Sequence, residues 1–63
     1  MTDFSLAGRA ARDAESLARL ARVAADAAGF PSEARLLSES PEIVLRRAVE
    51  GLRKVLADLE AAL

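Results

Sequence analysis

From Leu45 to the end of the chain, apolar residues return on a fixed beat. Setting Leu45, Leu52 and Leu59 as heptad position a puts Ala48, Val55 and Ala62 at d and Val49, Leu56 and Leu63 at e. All of these positions are apolar, so the stripe is wider than the a/d seam of a two-stranded coiled coil. It is the pattern of a helix packed on two neighbours in a bundle. Glu42, Arg46, Glu50, Lys54 and Asp58 follow one another at intervals of four with alternating sign. Such a ladder supports an exposed helical face.

The first half of the chain repeats small residues instead. Ala7, Ala14, Ala21 and Ala28 recur every seven positions, beside Ala10 and Ala24 and beside Leu6, Leu17 and Leu20. Ala11, Ala18 and Ala25 widen the apolar arc beyond a semicircle, more than one neighbouring helix can cover. Two readings of the alanines stand side by side: a small surface that lets another helix approach closely, or simply the residue with the highest helix propensity. Asp13 interrupts the sector of Leu6 and Leu20, and a carboxylate there requires a partner. Arg9, one turn earlier, supplies one, either as an ion pair at the bundle edge or as a polar device that fixes helix register.

Gly29, Pro31, Ser32, Ser38, Ser40 and Pro41 punctuate the middle. They predict a first helix over about 5–28, with Thr2, Asp3 or Ser5 as N-cap. Gly29 is expected to close it in a left-handed conformation, with Phe30 folding back on the last turn. A connector over 29–40 is expected to hold a short helix from about Pro31 to Ser38 that turns Leu36 and Leu37 inward. The second helix, about 41–62, has a sharper start: Ser40 as N-cap, Pro41 at the first helical position and Glu42 at the positive end of the dipole. At 1.5 Å per residue, arms of roughly 23 residues span roughly 35 Å. The expectation is an all-α, single-domain chain over 1–63, an antiparallel helical hairpin with a short connecting helical segment, self-associating into a four-helix bundle.

Composition narrows the chemistry. Among 63 residues there is no His, Cys, Trp or Tyr, and two Phe are the only aromatics. A di-metal bundle needs inward Glu-x-x-His pairs, which a chain without His cannot build. The serines lack a His base, Lys54 is the only lysine and lies on the charged ladder, and Gly8, Gly29 and Gly51 are scattered rather than gathered in a phosphate loop. No enzymatic activity, catalytic residue, cofactor or metal site is expected. Gly51 in mid-helix costs about 1 kcal/mol relative to Ala, which points either to a close helix crossing or to tolerance at an exposed edge.

The formal net charge is -1, so no global field recruits nucleic acid or an anionic membrane. A local basic patch of Arg46, Arg47, Arg53 and Lys54 keeps nucleic-acid binding as the alternative function. Interleaved acids lower its field, and no aromatic platform accompanies it. The acidic start and the lack of a long apolar run argue against a secretory signal or membrane partner, and a cytoplasmic location is expected. No family motif can be matched residue by residue; the resemblance to helical bundle proteins is architectural, and fold does not imply function.

A lone hairpin of this size leaves both arcs half covered. The expected function is therefore homo-oligomerisation and protein–protein contact, as a small helical adaptor or regulator or as the N-terminal dimerisation or docking segment of a longer protein, with a second copy as the first partner and another helical protein as the second. The expected interface comprises Leu6, Ala14, Leu17, Leu20, Ala21, Leu45, Val49, Leu52, Val55, Leu56 and Leu59.

Overall fold

A computed structural model of the protein describes residues 1–29 and 39–63. It is all-helical over them: α1 spans Phe4–Gly29 and α2 spans Pro41–Ala62, packed side by side. The expected short helix at Pro31–Ser38, and Phe30, lie outside the described residues.

The helix ends follow from local chemistry. Of the three candidate caps for α1, Asp3 takes the role, its Oδ1 accepting from the Leu6 backbone N–H at 3.0 Å. At α2 the Ser40 hydroxyl accepts from the Ile43 N–H at 3.4 Å, Pro41 occupies the first turn, and Glu42 bonds Arg46 at 2.7 Å. Each cap satisfies one of the amides that a helix start leaves without an intrahelical partner. Gly29 does not take the left-handed cap conformation; no glycine has a positive φ, and α1 runs through it. With no Cβ, glycine is as free to prolong the last turn as to end it.

At the open end of the hairpin the Asp3 N–H donates to the Ala62 carbonyl at 2.7 Å. This bond ties the start of α1 to the end of α2, so the helices run antiparallel and opposite dipole ends lie side by side. Along the seam the buried side chains are small: Ala10, Ala24 and Ala27 from α1, and Val44, Ala48, Val55 and Ala62 from α2. Leu17 lies across Gly51, where an added Cβ would fall 2.7 Å from Leu17 Cδ2. The mid-helix glycine thus marks a close crossing, the first of its two readings.

The hairpin is one helix thick, 48 × 16 × 14 Å. Its radius of gyration is 14.1 Å, where a compact domain of this length would have about 11 Å. A two-helix layer has an inside along one line only, and most of its apolar side chains end up beside that line rather than in it.

Candidate interaction surface

Two apolar seams run along α2, one residue apart. The inner seam, Val44, Ala48, Gly51, Val55, Asp58 and Ala62, steps by four and three along α2. Its residues are buried against α1 or half-buried at its edge. The outer seam, Leu45, Val49, Leu52, Leu56, Leu59 and Leu63, has the same stepping and carries nearly all the bulk. Every member of it is exposed, Leu52 at 38% and Leu56 at 57%. Stepping of four and three is the heptad rhythm by which one helix seats knobs in the holes of another.

On α1 the small residues adjoin this outer seam. Ala25, Ala28 and Leu45 line a common crevice between the helices, together with Ala24, Pro41 and Glu42. Since Ala11, Ala18 and Ala25 recur every seven residues, as do Leu45, Leu52 and Leu59, both rows keep to that side of the hairpin for its whole length. The result is one broad apolar face, leucine-rich over α2 and alanine-rich over α1. Phe4, 79% exposed, and Leu63, 86% exposed, stand at its open end.

The opposite crevice is polar at its rim, where Asp13, Ser16, Lys54 and Asp58 surround Leu17, Gly51 and Val55. Asp13 and Arg9 are both exposed, and among the described residues no ion pair joins them. The charged ladder also departs from a single face: Asp58, its last member, is half-buried against α1. The physical reason is the 3.6-residue turn, which rotates an i+4 row by about 40° per step and carries five members round the helix.

The residues expected at an oligomer interface divide into three groups. Val55 is buried inside the hairpin. Leu6, Ala14, Leu17, Leu20 and Ala21 are half-buried on α1, and Leu45, Val49, Leu52, Leu56 and Leu59 are exposed on α2. Leu63, Phe4 and Ala18 belong to the same face and were absent from that set, although Leu63 continues the four-three spacing beyond Leu59 and gave a usable signal. In the basic patch, Arg46 is bonded to Glu42 and Arg47 to Glu39 at 2.8 Å. Arg53 and Lys54 have no ion-pair partner among the described residues.

Among the described residues no helix is long and apolar enough to cross a membrane, and no group of three or more acidic, His or Cys side chains is gathered as a metal site. Over the described residues the molecule is thus a helical hairpin with one apolar face exposed. Comparison of the chain with family models, curated proteins and solved structures finds no match.

Proposed function

We propose that the protein is a helical self-association module, in which two hairpins pair through their apolar faces to make a four-helix bundle. The observation that supports this reading is the unpartnered outer seam of α2. Six large apolar residues in heptad rhythm sit exposed, while among the described residues the buried positions are filled mainly by alanine. Fully burying a leucine contributes roughly 1.5–3 kcal/mol, so covering this seam supplies more driving force than the inner seam can. Contact with another helical protein would use the same face.

Sedimentation equilibrium across micromolar concentrations tests the proposal. The expected mass is twice the chain mass of 6.7 kDa. A fully helical species of single-chain mass throughout that range would overturn it.

A further inference from the structure

Two symmetric ways of pairing the apolar faces exist, and they make different contacts. If the two-fold axis runs parallel to the helices, each α2 lies on the α1 of its partner, leucine on alanine. If the axis runs across the helices, α2 lies on α2 and α1 on α1, leucine on leucine and alanine on alanine. Resting on the self-association reading above, we infer that the axis is parallel: the leucine seam of α2 docks on the alanine rows of the partner subunit's α1, with Glu15 facing Arg53 of the partner subunit.

Three observations carry the inference. The first is the pair of rims. Glu15 follows Ala11 by four residues and precedes Ala18 by three, while Arg53 follows Val49 by four and precedes Leu56 by three. The two charges therefore occupy matching places on the outer edges of the face, and both are exposed. Neither has an ion-pair partner among the described residues.

The second is their height. Leu17 lies level with Gly51, so in these antiparallel helices Glu15, two residues before Leu17, is level with Arg53, two residues after Gly51. Rotation about an axis parallel to the helices leaves every residue at its own height, so each Glu15 meets an Arg53 from the other copy, and each Arg22 an Arg46, two bases already neutralised within their own helices by Asp26 and Glu42. An axis across the helices must pass near their midpoints to keep the faces overlapped. It would set Glu15 near Glu15 and Arg53 near Arg53, each within about one helical turn, where like charges repel, and the one opposite charge it brings to Glu15 is Arg22, already bonded to Asp26.

The third is bulk. Leucine on alanine gives the same thickness on both sides of the bundle and lets large residues enter the spaces between small ones. Leucine on leucine beside alanine on alanine would hold one pair of helices near the upper end of the 8–10 Å range of helix separations and the other near the lower end, wedging the layers apart. Ala18 and Val49 lie within about one residue rise of each other in height, so in the parallel-axis dimer they face across the new interface.

The chain has no cysteine, which makes cross-linking clean. Ala18→Cys and Val49→Cys chains are prepared separately, mixed, oxidised and resolved by mass, with sedimentation of the reduced mixture alongside. The expected product is the mixed disulfide of one chain of each kind, with little linkage of either variant to itself. Dimers that yield Ala18→Cys chains linked to one another, or no mixed product, would overturn the axis assignment while leaving self-association intact. A single-chain mass in the reduced mixture and in the unsubstituted protein would remove self-association and the axis assignment together. A charge exchange gives an independent reading: Glu15→Arg alone is expected to weaken dimerisation about tenfold, and Glu15→Arg with Arg53→Glu to restore it. An unchanged dissociation constant in the single variant would count against the contact.

Discussion

The two seams of α2 are built on one rhythm and used in opposite ways. The inner seam is made of Gly51, alanines and valines with one acid, Asp58, and it lets α1 approach until Leu17 rests on the glycine backbone. The outer seam, displaced by one residue, holds five leucines and one valine in the same rhythm, and all six are exposed. Burial is thus inverted relative to size: Ala48 is 1% exposed while Leu56 keeps 57% of its surface open. Small residues close a hairpin cheaply in space and weakly in energy, because each buries little apolar area. The large ones are held on the outer side of the hairpin, beside the line that α1 closes.

Charge placed in the outer seam should break this contrast most sharply. In an isolated hairpin Leu52→Asp would sit at a partly exposed position, where surface substitutions usually change stability by about 0.5 kcal/mol or less. In a dimer the same change buries a carboxylate at the centre of the interface and costs several kcal/mol. The expected result is loss of dimer mass together with loss of helicity, read by sedimentation and circular dichroism. A folded Leu52→Asp chain that still sediments as a dimer would mean that the outer seam is not the contact.

The inner seam makes the converse claim. Ala48 is enclosed within one chain, so Ala48→Leu should overpack the crossing and cost about 1–3 kcal/mol, seen as a lowered thermal midpoint at fixed protein concentration. A raised midpoint would mean that α1 and α2 are loosely set and that the alanines serve helix propensity alone.

How far this division could be read from sequence differs by element. The start of α2 was fully legible, since Ser40, Pro41 and Glu42 each act through their immediate neighbours in the chain. The start of α1 was legible as a choice among three caps, and backbone geometry selected Asp3. Gly29 misled, because a glycine that permits termination does not compel it. The wide apolar arc of α2 was visible as nine positions, yet its partition was not. Periodicity says which residues share a face, and only packing says which part of that face the chain covers for itself. The same limit applied to Val55, which its spacing grouped with the leucines and which the structure buries against α1. Asp58 was lost to a different cause, the slow rotation of an i+4 row around the helix.

Gly51 is the residue on which the partition turns, and its effect should be the smallest and the most specific. Replacing a mid-helix glycine by alanine ordinarily gains about 1 kcal/mol from helix propensity. Here the new methyl would lie 2.7 and 2.8 Å from the two Cδ atoms of Leu17, closer than van der Waals contact allows. Leu17 would have to leave its rotamer, at a cost of order 0.5–1.5 kcal/mol, which offsets the gain. Gly51→Ala in the native background is therefore expected to leave stability close to unchanged. In a Leu17→Ala background the obstruction is gone, and the same substitution should recover the full gain of about 1 kcal/mol. A double-mutant cycle measured by urea unfolding gives the coupling directly. Equal effects in the two backgrounds would show that Leu17 does not rest on Gly51, and the close crossing that leaves the leucine seam outside would lose its anchor.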